Sequence, residues 1–227
     1  MIRCSAYDLG CVPYREAFIL QRRMVEKLQS GSGEEALILL EHPHVITLGR
    51  SASADSLLSD PASLKERGVD VIETDRGGDA TYHGPGQLVG YPIFKLEPER
   101  RDIRKYVSDI ELALIRALAD FGIEAGRQTG KRGVWIQRKK IASVGIRISR
   151  WVTCHGFALN VNTDLSYFEF INPCGITGCE MTSMQRELGV PISMASVKRQ
   201  AVERLSEIFD REIVHGVHSN EITAFAE

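Results

Sequence analysis

The chain has 227 residues, 28 basic and 30 acidic, with a formal charge of −2 at neutral pH and 43% hydrophobic residues. This balance is typical of a folded globular chain, and the near-neutral charge argues against a globally basic nucleic-acid binder. Apolar runs are strand-sized, well short of the ~20 residues that span a membrane, and the N-terminus has no apolar signal core. We therefore expect a single domain over residues 1–227 in the cytoplasm, without nucleic-acid or membrane partners.

Hydrophobic periodicity and breaker residues predict alternating strands and helices. Strands are expected at residues 2–8, 36–41, 45–48, 70–74, 88–93, 133–137, 140–148 and 151–161. Helices are expected at residues 13–31, 60–68, 103–122 and 194–209. The strands between residues 133 and 148 are predicted to form a hairpin, and alternation in the last strand places Thr153, His155 and Phe157 on one face. Because helices interleave with hairpins, we expect an α/β fold of the α+β type, with helices packed on a mixed sheet.

The most informative segment is RGGDATYHGPGQLVGYP at residues 76–92, which holds five glycines and two prolines. Its first twelve residues are too rich in glycine for a regular element. Gly77 and Gly78 free the backbone for positive φ angles and for close approach by a ligand. A tight surface turn would explain the glycines alone. The added Arg76, Tyr82 and His83 favour a loop that binds a ligand.

Two further clusters carry chemically reactive side chains. INPCGITGC at residues 171–179 places Cys174 between a proline and a glycine, in a loop that can present a side chain. RKKIASVG at residues 138–145 places Lys140 at the start of the second hairpin strand. The alternatives are a buried structural thiol for Cys174 and a solvated turn for the charge run, and we accept the second for Arg138 and Lys139.

Two other patterns are weaker. Cys154, His155, Cys174 and Cys179 include soft metal ligands but lack the usual two-residue spacing, so a zinc site is not expected. GRQTGKRG at residues 126–133 has three residues between its glycines where a P-loop has four, and Arg132 replaces the hydroxyl residue. We reject it as a phosphate site. The odd cysteine count favours a reducing compartment.

Five segments, in this order, resemble the lipoyl(octanoyl) transferase family. They are EHPHVITLGR at residues 41–50, RGGDATYHGPGQLVGYP at 76–92, KIASVGIR at 140–147, HGFALNVNTDL at 155–165 and NPCGI at 172–176. The resemblance covers most of the chain and implies a fold like the catalytic domain of biotin and lipoate protein ligases. It also implies transfer of an octanoyl group from octanoyl-acyl carrier protein to a lysine of lipoyl domains in 2-oxoacid dehydrogenases and of the glycine-cleavage H protein, with no cofactor and no metal.

The resemblance also implies roles for single residues. In that family a cysteine of the P-C-G-I loop forms an acyl-thioester, and a lysine of the K-I-A-S segment lowers its pKa; the matching residues are Cys174 and Lys140. The residues that match the family's acyl pocket are Arg76, Gly77, Gly78, Asp79, Ala80, Thr81, Tyr82, His83, Ser143, Val144, Gly145, Gly156, Phe157 and Ala158. Asp79 and Ala80 stand where the family often has Gln-Val. Tyr82 and His83 are expected to shape the acyl and oxyanion end of the pocket.

This chemistry suits a cysteine and a lysine. A carrier-protein thioester is already activated, so exchange onto a thiol needs no ATP, and a thiolate is a strong nucleophile. A free cysteine is mostly protonated at pH 7, and a neighbouring ammonium would stabilise its thiolate. The alternatives are an ATP-dependent lipoate or biotin ligase of the same fold, which needs no nucleophilic thiol, and a non-catalytic acyl-binding protein.

Charge is uneven along the chain. Residues 125–163 contain no acidic residue but eight basic ones. Apart from Lys140, these are Arg127, Lys131, Arg132, Arg138, Lys139, Arg147 and Arg150. They could form a basic rim that steers an acidic carrier protein to the site. Alternatively, they pair with acidic residues elsewhere in the fold.

Overall fold

The mixed sheet predicted from the interleaved pattern is present in the computed structural model, which describes residues 1–172 and 179–215. In chain order its strands are β1 Ile2–Cys11, β2 Glu35–Glu41, β3 Val45–Leu48, β4 Asp70–Glu73, β5 Ala80–His83, β6 Gln87–Ile93, β7 Gly126–Gln128, β8 Lys131–Ile136, β9 Lys139–Ser149, β10 Val152–Asn160 and β11 Arg211–His215. In these ranges eight strands form one sheet in the order β11-β1-β2-β6-β10-β9-β8-β7, and three form a second in the order β4-β3-β5. β1 runs parallel to β2 and β11, and the other pairs of the large sheet are antiparallel.

The helices begin and end at residues with clear local causes. They are α1 Tyr14–Ser30, α2 Pro61–Glu66, α3 Ile103–Ala119, α4 Met184–Leu188 and α5 Met194–Phe209. α1 starts after Pro13 and ends at Gly31, whose φ of 80° suits a residue without a Cβ. The side chain of Asp102 accepts hydrogen bonds from two backbone N–H groups of the first turn of α3. In the described residues no helix combines the length and hydropathy that a membrane crossing requires.

The large sheet separates two apolar layers. α1 packs on one face through Ala17, Met24 and Leu28, while α3 and α5 cover the other with the larger cluster. Successive residues of β2 alternate between the layers, because Leu37 joins the α3 and α5 side and Ile38 joins the α1 side. This fully buried strand therefore reads as a continuous apolar run in the sequence.

Three strands and one short helix were not predicted. β5 lies inside the segment where no regular element was expected, and its four residues pair antiparallel with β3. β7 and α4 span three and five residues, too few to show a period. β11 pairs parallel with β1 from the far end of the sequence, a long-range pairing that local pattern does not reveal.

Candidate active site

A cavity of about 410 Å³ lies between β5, β9, β10 and the loop that follows β4. Thirteen residues selected from the sequence line it: Arg76, Gly78, Asp79, Ala80, Thr81, His83, Lys140, Ser143, Val144, Gly145, Gly156, Phe157 and Ala158. Its size lies in the range of small-molecule pockets. Segments that are far apart in sequence thus meet around one cavity.

The antiparallel register of β9 and β10 brings two of these segments together. Ser143 lies opposite Ala158, and Gly145 lies opposite Gly156. The glycine at 145 lets the loop after β4 pack on the strand. An added Cβ there would lie 2.9 Å from the carbonyl oxygen of Gly77 and 3.2 Å from Cδ of Arg76.

Arg76 holds that loop against the small sheet. Its guanidinium is buried and donates to the backbone carbonyl of Thr47 at 2.6 Å and to the Thr47 hydroxyl at 2.9 Å. The next residue, Gly77, donates its N–H to the carbonyl of Ile146 in β9 at 2.8 Å. The loop is therefore tied to β3 on one side and to β9 on the other, which fixes one wall of the cavity.

Gly77 and Tyr82 are not among the described residues that line the cavity. Gly77 contributes the backbone bond to β9 and no lining atom. Tyr82 lies on the opposite face of β5, where its hydroxyl bonds His44 Nδ1 at 2.8 Å and its ring stacks on Tyr167 at 4.9 Å. Strand alternation explains this outcome, because Thr81 and His83 occupy the other face and do line the cavity. The expectation that Tyr82 shapes the pocket is not supported by this placement.

Lys140 is the second residue of β9, next to the hairpin turn. Its side chain lines the cavity, and 1% of the residue is exposed. Its backbone forms a parallel bridge with Met181, donating to the carbonyl of Glu180 at 2.8 Å and accepting from the N–H of Thr182 at 2.9 Å. Cys174, the expected nucleophile, lies outside the described residues. In sequence it comes six residues before Glu180, so the chain that pairs with Lys140 continues directly from the Cys174 segment.

Buried polar side chains connect the cavity to this pairing. His83 Nδ1 and Gln87 Oε1 are 2.8 Å apart, and Gln87 Nε2 donates to Asn160 Oδ1 at 2.9 Å. Asn160 Nδ2 in turn donates to the carbonyl of Thr182 at 3.0 Å. Burial holds the pKa of His83 well below its ordinary value. The imidazole is therefore neutral; Nδ1–H donates to Gln87, and Nε2 is the acceptor nitrogen.

Tyr14 and His155 form a second polar group on the cavity wall, which the sequence analysis missed. The Tyr14 hydroxyl lies 3.5 Å from His155 Nδ1, and His155 Nε2 lies 2.7 Å from Asp75 Oδ1. Burial lowers the pKa of His155, so the neutral ring donates Nε2–H to Asp75 and accepts from Tyr14. The hydrogen bond from His155 and the neighbouring Arg147 and Arg22 lower the pKa of Asp75 to about 2.

The prediction that His155 shares a face with Thr153 and Phe157 is wrong. The backbone at His155 has a φ of 60°, which interrupts the alternation of β10, and its ring stacks on Phe18 of α1 at 5.4 Å. Phe157 instead packs into the cluster beneath α3 and α5. Tyr14 carried only the signal of an apolar helix stripe, so nothing in the sequence distinguished it from the core.

Cys154 is placed as a structural thiol. Its Sγ lies 3.5 Å from Gln21 Oε1, and burial raises its pKa to about 12. Within residues 1–172 and 179–215, no group of three histidine, cysteine or acidic side chains is arranged to hold a metal. The GRQTGKRG segment forms the β7–β8 hairpin, whereas a P-loop joins a strand to a helix. Its Lys131 and Arg132 do line the cavity.

Comparison with known proteins gives the family. The model of the lipoyl protein ligase A/B catalytic domain matches residues 13–206. The chain belongs to this family. Curated relatives named octanoyltransferase include proteins of Solibacter usitatus, 47% identical over 95% of this chain and 97% of the relative, and Syntrophotalea carbinolica, 51% identical over 86% and 89%. A third, from Myxococcus xanthus, is 47% identical over 92% of this chain, which spans 60% of that relative.

Solved structures of this fold include more distant proteins. A crystal structure of lipoate-protein ligase A bound with ATP superposes with a TM-score of 0.82 at 16% identity, covering 99% of this chain and 93% of the other. Biotin protein ligase from Aquifex aeolicus superposes with a TM-score of 0.52 at 13% identity, covering 92% and 70%. These structures confirm the predicted fold. The family model and the curated relatives make this chain an acyltransferase, and the solved structures show its fold to be that of the lipoate and biotin ligases.

Proposed function

We propose that this protein moves an octanoyl group from octanoyl-acyl carrier protein to a lysine of a lipoyl domain, through a thioester on Cys174. The observation that carries the proposal is the position of Lys140. Its buried side chain lines the cavity, and its backbone pairs with the chain segment that follows Cys174. The names of the curated relatives support the octanoyl group as cargo.

The first half-reaction acylates the enzyme. The Cys174 thiolate attacks the carbonyl carbon of the carrier thioester, the bond from that carbon to the carrier sulfur breaks, and the carrier thiolate leaves with the electron pair. Lys140, as an ammonium, stabilises the attacking thiolate. The energy of the donor thioester is kept in the new one, so the step needs no ATP.

The second half-reaction transfers the group to nitrogen. The amine of the acceptor lysine attacks the Cys174 thioester, the carbon–sulfur bond breaks, and the Cys174 thiolate leaves. Lys140 has by then given its ammonium proton to the departing carrier thiolate, so its neutral amine accepts the proton of the attacking amine and becomes an ammonium again beside the Cys174 thiolate. The amide is more stable than the thioester, so transfer runs towards the modified lysine.

The cavity suits an acyl chain flanked by polar groups. Val144, Phe157 and Ala158 supply apolar lining residues, and Tyr14 and His155 place a hydrogen-bonded polar pair on the same wall. A pocket with a few fixed polar groups in an apolar lining is the usual form of a small-molecule site. In the proposed pocket Gly77 and Tyr82 supply no lining atoms, although the backbone of Gly77 anchors one wall to β9. We propose that the whole chain serves as one catalytic domain.

The test is the intact-protein mass after mixing with octanoyl-acyl carrier protein without ATP. We expect one octanoyl adduct, located on Cys174 by peptide mapping and discharged by an apo lipoyl domain. Cys174→Ala should abolish adduct and turnover while leaving the thermal midpoint unchanged. Cys179→Ala is the matched control and should retain both.

The runner-up, an ATP-dependent ligase, predicts the opposite pattern. It requires ATP for transfer, forms an acyl-adenylate from the free acid and works without Cys174. Transfer by Cys174→Ala in the presence of ATP and free octanoate would overturn the proposal. An octanoyl adduct on Cys179 in the Cys174→Ala variant would identify Cys179 as the nucleophile.

A further inference from the structure

Trp135 lies beneath the side-chain nitrogen of Lys140. The two residues pair across β8 and β9, and the Lys140 Nζ is 5.5 Å from the centre of the indole ring. Both side chains are almost fully buried, with 2% of Trp135 and 1% of Lys140 exposed. An ammonium held over an aromatic face is attracted by the ring's electrons, and burial strengthens that attraction.

The backbone of β8 is shaped to permit this contact. The register shifts between Val134 and Trp135, and Gly133 has a φ of 104°. A Cβ on Gly133 would lie 2.4 Å from the carbonyl oxygen of Ala142 in β9, 2.6 Å from Lys140 Cε and 3.3 Å from Lys140 Nζ. Glycine at this position therefore leaves room both for the backbone of β9 and for the end of the lysine side chain. Bulges of this kind commonly re-aim side chains beside active sites.

The backbone at Gly133, next to this register shift, is fixed from the opposite side by a buried acid. The Gly133 N–H donates to Glu111 Oε1 at 2.7 Å, and the other carboxylate oxygen of this buried residue pairs with Arg127 Nε at 3.1 Å. The carboxylate charge is thus engaged by a backbone amide and a guanidinium. α3, which carries Glu111, therefore sets the backbone position of β8 at the point where it meets Lys140.

Trp135 contacts Lys140 through the face of its indole ring and not through its N–H group. Its N–H is buried and has no acceptor among the described residues, which is a cost that phenylalanine at this position would avoid. Tryptophan offers the strongest cation-binding face of the aromatic side chains. A residue chosen for packing alone gains nothing from the extra nitrogen, whereas one that holds a cation gains from the larger ring.

We propose that Trp135 and Gly133 are positioning residues that hold the Lys140 side-chain nitrogen in place for both half-reactions. The inference rests on the proposed function, because it is there that Lys140 acts on Cys174. An aromatic face holds the ammonium without neutralising it, as a carboxylate would. The positive charge of Lys140 therefore remains available to stabilise a thiolate. Lys131 contacts the same ring, with Nζ 5.2 Å from its centre, and Glu111 faces the bulge from α3.

The experiment compares Trp135→Leu and Trp135→Phe in the full chain. Two quantities are measured: turnover of a small octanoyl thioester with an apo lipoyl domain, and the pH dependence of Cys174 alkylation by iodoacetamide, followed on the Cys174 peptide. We expect Trp135→Leu to lower kcat about tenfold with KM changed less than about twofold, and to move the alkylation profile to higher pH. Trp135→Phe should lie between, with a thermal midpoint equal to or above that of the wild type.

Two matched controls separate positioning from stability. Trp151→Leu removes an exposed ring that lies 5.3 Å from Arg101, away from the cavity, and should leave kcat and the alkylation profile unchanged. Gly68→Ala controls for the strain of a positive φ, since nothing lies within 4 Å of a Cβ there, whereas Gly133→Ala also crowds the Ala142 carbonyl and Lys140, so the thermal midpoint of both variants is measured as well. Only Gly133→Ala should shift the alkylation profile.

Each outcome decides the matter. If Trp135→Leu and Trp135→Phe both keep the wild-type alkylation profile and kcat while Lys140→Met is inactive, Trp135 does not position Lys140, and the proposed function stands. If Lys140→Met itself keeps wild-type turnover, the role of Lys140 in the proposed function fails, whatever Trp135 does. If Trp135→Leu does not fold, Trp135→Phe is the deciding variant. Slower turnover with undiminished stability supports positioning of Lys140 by Trp135, and unchanged turnover overturns it.

Discussion

The side-chain amide of Gln87 donates to the side-chain oxygen of Asn160 across 2.9 Å, inside the protein, where 1% of each residue is exposed. This bond joins β6 to β10. It continues through Asn160 Nδ2 to the carbonyl of Thr182, whose own N–H bonds the carbonyl of Lys140. The site is therefore held by a hydrogen-bonded chain from the cavity wall to the backbone of the proposed base.

Replacing Asn160 by alanine tests that chain. The substitution leaves the Thr182 carbonyl and one Gln87 donor without their partner, and we expect it to lower the free energy of unfolding by about 2 kcal/mol. We also expect transfer to slow about tenfold at a temperature where the variant is fully folded. Urea unfolding and steady-state kinetics measure the two effects.

Asn162→Ala is the matched control, because its side chain bonds the backbone of Ile192 at 2.8 and 2.9 Å. It should lose stability without the kinetic defect. Equal slowing in both variants at equal stability loss would contradict a specific role for Asn160.

Lys140 is predicted to serve both half-reactions, which two substitutions separate. Lys140→Met removes the charge and the base, so acylation and transfer should both fall by a factor of ~10² or more. Lys140→Arg keeps a charge but cannot accept the amine proton, so it should impair transfer from the acyl-enzyme more than acylation. Rapid-quench measurement of adduct formation and of its discharge by a lipoyl domain gives the two rates. Equal losses in both steps for Lys140→Arg would refute the assignment of Lys140 as the base.

Much of this architecture can be predicted from the sequence, because hydrophobic periodicity and breaker residues indicate helices and strands locally. Periodicity located α1, α3 and α5, and strand-sized apolar runs located β2 and β6. The positions around the cavity followed from motif resemblance. The register of β9 on β10 explains why those motifs meet, since it places Ser143 against Ala158.

What escaped prediction depends on long-range pairing and single backbone angles. A φ of 60° at His155 turns its ring towards α1, and no spacing rule reports such an angle. Tyr82 was placed in the pocket by its motif, yet the two-residue period of β5 sends it to the other face. Trp135 lies next to Lys140 because the hairpin turns at Gln137 and Arg138, which places Ile136 opposite Lys139 and Trp135 opposite Lys140. Periodicity predicts the hairpin but not this register.

Buried neutral histidines make stability depend on pH. His42 is fully buried, with Nδ1 2.5 Å from the carbonyl of Val12 and Nε2 2.7 Å from the Tyr91 hydroxyl. Burial lowers its pKa to about 4. Between pH 6.5 and 4 the unfolded chain therefore binds a proton at His42 that the folded protein does not, and stability falls as the pH falls.

His42→Gln should flatten that dependence, since the amide can donate to Val12 and accept from Tyr91 but does not titrate. We expect the slope of unfolding free energy against pH to decrease by up to about 1.4 kcal/mol per pH unit in this interval. Urea titrations at closely spaced pH values measure it. Parallel curves for wild type and variant would show that His42 is not the titrating group.

The last prediction concerns the basic rim, which the structure reduces to a smaller set. Three of the seven residues pair with acids elsewhere in the fold: Arg127 with Glu111 at 3.1 Å, Lys139 with Glu187 at 3.2 Å, and Arg147 with Asp75. For these the alternative explanation holds. Lys131 and Arg132 are exposed and line the cavity, so they lie where a tethered acyl arm would enter.

Because Lys131 also contacts Trp135, Arg132 is the cleaner probe of docking. An acidic carrier protein would be steered by this charge, and screening shortens its reach from ~30 Å at 0.01 M salt to ~10 Å at 0.1 M. We expect Arg132→Glu to lower kcat/KM for octanoyl-carrier protein about tenfold at low salt and to remove most of its salt dependence. Turnover of a small octanoyl thioester should change little in either respect.

Arg138→Glu is the matched control. It makes the same charge change at the β8–β9 turn, away from the cavity lining, and should preserve both kcat/KM and its salt dependence. If the two charge reversals act alike, steering comes from the net charge of the hairpin and not from the rim at the cavity. If Arg132→Glu lowers activity equally with both donors, Arg132 acts on a step other than carrier docking, and the rim has no docking role.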